Sequence, residues 1–391
     1  MILGDLLVVE LASVLAGPSV GMWLAELGAR VIKVEYHLRG GDVTRAWKLP
    51  GEDGEDDRSA YFSSVNWGKE SIGVDLRSEK GKQIIYELAG KADVVIASYK
   101  PGDAVKLGMD AGTLMALNPS LIYVDLTAYG PDDPRVGFDA IIQAEAGFTY
   151  MNGDPASGPT KMPVALMDLL AAHQLKEGVL LALLSRMTTG QGKHVSTSLI
   201  KAGISSLANQ ATNWLVAGHL PQPIGSDHPN IVPYGTIFYC QGQQGIVLAI
   251  GNDRQFSGLA EVLGCPEWKD DERLRSNGAR VANRAYCKGL IQGKVNGWER
   301  EELLQALHRA KVPVGSVRNM EEVFEQGPAR EMTFQGETMA GLRSVALTGV
   351  GNPLALSEPP HMGQDGEKVL NELLGYSEER IGSLRSDGIL A

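Results

Sequence analysis

Leu6-Leu7-Val8-Val9-Glu10-Leu11 is followed by Ala16-Gly17-Pro18-Ser19, a helical pattern over Val20–Leu27, Gly28, and then Arg30-Val31-Ile32-Lys33-Val34-Glu35. The outer runs are apolar and rich in β-branched residues, which reads as two buried strands. A helical crossover between two strands makes them parallel. The stretch is a βαβ unit and predicts a doubly wound α/β sheet. Glu35 stands where an acidic residue would hold a ribose, but Gly17-Pro18-Ser19-Val20-Gly21 lacks the glycine pair of a dinucleotide fingerprint. Nicotinamide dinucleotide is not expected.

Outward from this unit, Gly81–Ala89 reads as an amphipathic helix, and 93–97, 121–126 and 194–199 as further strands. Residues 200–218 read as one long helix leaving the first domain, and Pro221, Pro223 and Gly225 mark a break. A second domain opens at Ile231, with a hairpin from Thr236–Cys240 and Gly245–Ile250 and helices over Val281–Gln292 and Trp298–Arg309. Short strands near Ser344–Leu347 and a helix over Glu367–Leu374 close the chain.

With 391 residues, two or three domains are expected. The 43% apolar and 21% charged content is that of a globular protein. A net charge of −11 without a long basic run argues against nucleic acid as a partner, though not against a local cationic pocket. Cys240, Cys265 and Cys287 are far apart, so neither a zinc site nor a disulfide framework is indicated, and free thiols suit a cytoplasmic setting. The N-terminus has no signal-peptide pattern, and no apolar run is long enough to span a membrane.

One carboxylate stands out. Lys161-Met162-Pro163-Val164-Ala165-Leu166-Met167-Asp168 is an apolar run ending in an acid. Behind it lies a Leu- and Ala-rich helix that stops at Arg186-Met187-Thr188-Thr189-Gly190. Asp168 at a helix mouth has two readings: an N-cap for the orphan amides of the first turn, or a nucleophilic carboxylate.

Further motifs occur in order. They are Lys33-x-Glu35 with Gly41-Asp42-x-x-Arg45, and Asn66-x-x-Lys69-x-Ser71-Ile72, whose lysine alone reads as a solvated cation at a strand edge. Ser98-Tyr99-Lys100-Pro101-Gly102, Lys106-Leu107-Gly108, Leu117-Asn118-Pro119 and Gly137-Phe138-Asp139 follow. Then come Met167-Asp168 and Arg186-x-x-Thr189-Gly190-Gln191-Gly192-Lys193-His194-Val195. This ordered set resembles the class III CoA-transferase family, the formyl-CoA transferase and carnitine CoA-transferase type.

The resemblance implies a large Rossmann-like domain built from the N- and C-terminal parts, a smaller α+β domain between them, and an interlocked homodimer. Placed on this chain, those are residues 1–198, a linker helix at 199–226, a small domain at 227–325 and a return segment at 326–391. It implies transfer of CoA from an acyl-CoA to a free carboxylic acid through an aspartyl-CoA thioester on Asp168. CoA is substrate, and no tightly bound cofactor or metal is expected. Lys100 and Lys106 are the first candidates for its phosphates, then Arg39, Arg77 and Arg135, with Leu15, Ala16, Tyr36, Ser98 and Asp139 lining the site.

An ordinary aspartate is ionised at neutral pH, so Asp168 is expected to need no base. Oxyanion donors are expected from backbone N–H groups near the glycines. Tyr36 and Lys106 replace arginines of the formyl-CoA enzyme, and that enzyme's glycine-rich loop has no counterpart near Gly242–Gly245, which argues against formyl-CoA and oxalate as substrates. A dicarboxylate such as succinate is what general similarity to succinyl-CoA-dependent members of the family implies. A related racemase uses Gly-His-Asp where this chain has Gly137-Phe138-Asp139, and phenylalanine moves no proton. A non-catalytic CoA-binding protein is the other alternative.

Overall fold

The computed structural model of the protein describes residues 2–349 and 355–391. Its centre is a six-stranded parallel sheet in the order β3-β2-β1-β4-β5-β6. The strands are β1 (Leu7–Leu11), β2 (Arg30–Glu35), β3 (Lys69–Gly73), β4 (Val94–Ala97), β5 (Ile122–Thr127) and β6 (His194–Ser198). Strand order reverses between β1 and β4, which pair in parallel with Val8 opposite Val94. In open parallel sheets such a switch point leaves a crevice at the carboxyl ends of the strands.

Helix α1 (Ala16–Glu26) begins four residues before the predicted Val20. Pro18 disguises that start, yet a proline in the first turn removes an N–H that has no acceptor there. Gly21 lies on the face of α1 turned to the sheet. A Cβ there would stand 1.9 Å from the Glu10 carboxylate, so this glycine admits a buried charge.

One face of the sheet buries Val9, Ile32 and Val95 under α2 (Glu79–Ala89), whose Ile84, Ile85 and Leu88 point inward. Val369, Leu370, Ile381 and Leu384 from the last two helices of the chain join the same core. On the other side run α1, α3 (Asp139–Glu145) and α4 (Leu166–Thr189). Gly190 ends α4 in the left-handed conformation, as the sequence predicts.

The chain divides into two compact units. One holds Met1–Ala146, Met162–Ala211 and Glu331–Ala391, the other Gly147–Lys161 and Thr212–Arg330. The second has a three-stranded antiparallel sheet of β7 (Tyr234–Tyr239), β8 (Gly245–Ala249) and β9 (Val314–Ser316). Helices Asp253–Val262, Arg284–Val295 and Arg300–Arg309 contribute Phe256, Ile291 and Leu303 to its core.

Three expectations need correction. The long helix predicted at 200–218 is two helices, Leu199–Ser205 and Ala208–Ala217. Ser205 and Ser206 both donate their hydroxyls to the Ala202 carbonyl, and Ala208 turns to φ +48°, which breaks the run. The segment at Ser344–Leu347 is not a strand. The Ser344 and Val345 amides donate instead to the buried Glu26 carboxylate at 2.9 and 3.0 Å. Lys69 is no solvated edge cation. It is 3% exposed and donates to both oxygens of Glu10 at 2.9 and 2.8 Å, to Asn66 Oδ1 and to the Pro18 carbonyl.

Glu10 also accepts from Lys33 at 3.1 Å, and Lys33 reaches Asp42 at 2.9 Å. Burial disfavours the Lys33 ammonium, but the charges of Glu10, Asp42 and Glu35 outweigh it and raise its pKa. Glu35 in turn takes a bidentate bond from Arg45 at 2.8 and 2.6 Å and the Ser71 hydroxyl at 2.7 Å. Among the described residues no helix is long and apolar enough to cross a membrane.

Removing one partner of a buried ion pair strands the others. We expect Glu10→Ala to lower stability by roughly 3–5 kcal/mol. Chemical denaturation measures it, and a loss below about 1 kcal/mol, the worth of a surface pair, would contradict the account.

Candidate active site

Two cavities open at the carboxyl ends of the strands. The first, about 530 Å³, is bordered by Tyr36 and Arg39 after β2, Arg77 after β3, and Lys106 from the segment after β4. Arg77 lies over the Tyr36 ring at 4.7 Å. Lys106 is held by Asp103 at 3.0 Å, whereas Arg39 has no carboxylate partner among the described residues. The Tyr36 hydroxyl is buried with no hydrogen-bond partner there.

The second cavity, about 270 Å³, is bordered by Leu15, Ala16, Ser98, Lys100, Arg135 and Asp168. Ser13 and Tyr99 border both cavities, so the two are adjoining parts of one crevice. Arg135 is already engaged. It stacks on Tyr129 at 3.8 Å and pairs with Asp133 at 2.8 Å and Glu145 at 3.4 Å. Lys100 is exposed and has no carboxylate partner among the described residues. Nine of the ten binding residues named from the sequence therefore border one cavity or the other. Asp139, the tenth, lies buried in the support of α4.

That support explains Asp168. The residue at the N-cap of α4 is Ala165, which offers no side-chain acceptor, so the N-cap reading of Asp168 is corrected. Asp139 caps from another helix: its Oδ1 accepts from the Met167 amide at 2.8 Å. Gln143, fully buried, donates to Asp139 Oδ2 at 2.7 Å and accepts from the Met162 amide at 2.9 Å. The capping duty is thus discharged elsewhere. Asp168, the third residue of the helix, is 8% exposed, and no hydrogen bond or ion pair reaches its carboxylate among the described residues.

Burial, and then the nearby Asp139 charge, push the Asp168 pKa up to about 7. The expectation of an ordinary, fully ionised aspartate is corrected accordingly. Tyr61 is a neighbour that the sequence did not flag. Burial and the charges of Asp168, Asp139 and Asp42 raise its phenol to about 12, so it stays a proton donor. Its ring meets Trp47 edge-on at 5.0 Å.

A cation-rimmed crevice at a switch point, with a buried carboxylate unpartnered among the described residues, suits an enzyme that handles an anionic, nucleotide-bearing substrate at a nucleophilic acid. A family model described as CoA-transferase family III matches residues 3–366, and the chain belongs to that family. It is an enzyme of the CoA-transferase kind, for which CoA thioesters and free acids are substrates.

The chain is 37% identical over 387 residues to the succinate–glutarate CoA-transferase of Agrobacterium fabrum, covering 95% of each chain. It is 32% identical over 393 residues to human succinyl-CoA:glutarate CoA-transferase, covering 98% of this chain and 88% of that one. Among solved structures it matches a CAIB/BAIF family protein from Brucella suis with a TM-score of 0.85 and 37% identity, over 95% of this chain and 99% of that one.

A carboxylate with a pKa of about 7 loses its ionised form as pH falls. We expect kcat/KM for acyl-CoA to drop about tenfold per unit on the acid side of a pKa near neutrality. Asp139→Asn removes the like charge and should move that acid limb to lower pH. An unmoved limb in a folded D139N enzyme would show that Asp139 does not set it.

Proposed function

We propose that this protein moves CoA between dicarboxylic acids, with Asp168 as the covalent nucleophile. The observation that carries the reading is a buried carboxylate relieved of its capping role and left without partners among the described residues in the lining of a cation-bordered cavity. In the first step an Asp168 oxygen attacks the thioester carbonyl. The C–S bond of the tetrahedral adduct breaks, CoA leaves as thiolate, and a mixed anhydride of Asp168 and the donor acid remains. The thiolate then attacks the aspartyl carbonyl, giving aspartyl-CoA thioester and the free donor acid. The acceptor carboxylate reverses the sequence, and no net proton is consumed.

Backbone donors for the tetrahedral intermediates are at hand. Helix α1 starts at Ala16 with no side-chain cap at Leu15, so the Ala16 and Gly17 amides have no intrahelical acceptor. The larger cavity, with Arg39, Arg77 and Lys106, suits the phosphates and adenine of CoA. The smaller suits the thioester end, with Lys100 offering a charge-assisted bond to a carboxylate. Dicarboxylate substrates are favoured by the names of the succinate–glutarate relatives. Phe138 borders the Asp168 cavity and carries no exchangeable proton, so nothing favours the racemase reading.

We also propose an interlocked homodimer in the cytoplasm. Leu181, Leu184 and Met187 on α4 are 67%, 62% and 83% exposed, and Leu215 and Val216 on helix Ala208–Ala217 are 77% and 84% exposed. Exposed apolar rows of this kind mark association surfaces. All three cysteines are free and buried, which suits a reducing compartment.

The chemical test is trapping. Incubation with succinyl-CoA and hydroxylamine should convert Asp168 to its hydroxamate, read by peptide mass spectrometry. Asp168→Ala should bind CoA normally yet lose turnover by at least about 10⁴-fold. Near-normal turnover in D168A would sink the reading. Dilution tests the assembly: sedimentation should show a dimer down to nanomolar protein, and a folded, active monomer would overturn it.

A further inference from the structure

The segment from β1 to α1 holds a residue whose backbone conformation needs a cause. Four described non-glycine residues have positive φ: Val14 at +71°, Ala208, Gln243 and Lys311. Val14 is the β-branched one, for which the left-handed region is most disfavoured. It also borders the Asp168 cavity. Strained residues persist where their surroundings over-determine them.

Here the surroundings grip three successive residues. Lys33 Nζ donates to the Ala12 carbonyl at 3.0 Å. The Ser13 amide donates to Ser98 Oγ at 3.1 Å. The Val14 amide donates to both oxygens of Asp42, each at 3.3 Å.

Asp42 is itself immobilised. It is 4% exposed, pairs with Lys33 at 2.9 Å, and accepts from the Thr44 amide at 3.0 Å and the Thr44 hydroxyl at 2.8 Å. Burial opposes its charge, but Lys33 and the Thr44 bonds prevail and hold its pKa below the usual range. A fixed anion thus faces the amide of a strained residue. Directly after Val14 come Leu15 and Ala16, which border the same cavity and begin α1.

We propose that Asp42 is a positioning residue: it holds Val14 in the left-handed conformation, and so keeps Val14, Leu15 and Ala16 in place as the wall facing Asp168. This rests on Asp168 being the reacting group. Without the Asp42 bond the wall relaxes and the reacting atoms lose alignment. Asp42 also borders the adjoining larger cavity, but the cations there, Arg39, Arg77 and Lys106, stay in place to hold CoA.

A double-mutant cycle tests it. Asp42→Asn should lower kcat by roughly tenfold or more, with KM for succinyl-CoA changed by less than about threefold. In a Val14→Gly background, where the strain is gone, the same Asp42→Asn change should cost at most about threefold in kcat. Thr44→Val, which loosens Asp42 without removing its charge, runs the same cycle if D42N does not fold. It should lower kcat in the wild-type background and spare it in the V14G background.

A merely structural Asp42 would shift the melting temperature and leave kcat of the folded protein unchanged. An equal loss in both backgrounds, or a wild-type kcat in folded D42N, overturns the proposal. D168A is assayed alongside. If D168A is inactive while the cycle shows no coupling, the positioning role alone fails. If D168A turns over, the reading of Asp168 fails first.

Discussion

A parallel sheet of this kind is ordinarily apolar along its strands, yet here a cluster of buried charges runs across three of them. Glu10 on β1 faces Lys33 on β2 and Lys69 on β3, and Lys33 continues to Asp42 just beyond β2. Each charge is fully hydrogen-bonded, which is the condition under which a buried ionic cluster is tolerated. The consequence is positional. Lys69 ties the Pro18 carbonyl of α1 to the sheet, Lys33 ties the Ala12 carbonyl, and Asp42 ties the Val14 amide. The β1–α1 connection therefore has little freedom, and it is the connection that borders the Asp168 cavity.

The same economy appears around Asp168. Helix α4 needs a carboxylate at its N-terminus, and the carboxylate it uses is Asp139, not Asp168. Capping by a neighbouring helix leaves Asp168 without a hydrogen bond among the described residues, and its burial, then the nearby like charge, raise its pKa to about 7. Such an acid is both a stronger nucleophile when ionised and a poorer leaving group from an anhydride than an ordinary aspartate. Each property follows from environment rather than from residue type.

Much of this was legible in the sequence, and the remainder was hidden for identifiable reasons. Strand β2 spans the predicted Arg30–Glu35 because Val31, Ile32 and Val34 favour an extended backbone and Gly28 sets the start apart from α1. The end of α4 at Gly190 was legible because a left-handed cap favours glycine. The start of α1 was hidden by Pro18, which reads as a turn unless the first helical turn is considered. Lys69 looked solvated because its partner Glu10 lies 59 residues away and meets it only through the β1–β2–β3 order. The raised pKa of Asp168 was hidden likewise, since it depends on burial by the tertiary fold and then on Asp139 approaching from α3. Val14 carried no signal at all: its left-handed backbone is imposed by Asp42, Ser98 and Lys33, each distant in sequence.

The central claim is that the Asp168 carboxylate forms a covalent bond to carbonyl carbon during turnover. Oxygen-18 reports it directly. With acceptor acid labelled in both carboxylate oxygens, resolution of the mixed anhydride leaves one labelled oxygen on the aspartate in each catalytic cycle. After a few turnovers with succinyl-CoA and labelled glutarate, the proteolytic peptide bearing Asp168 should gain heavy oxygen, with fragmentation placing it on that side chain. An unlabelled Asp168 in enzyme that has completed many turnovers would contradict the account.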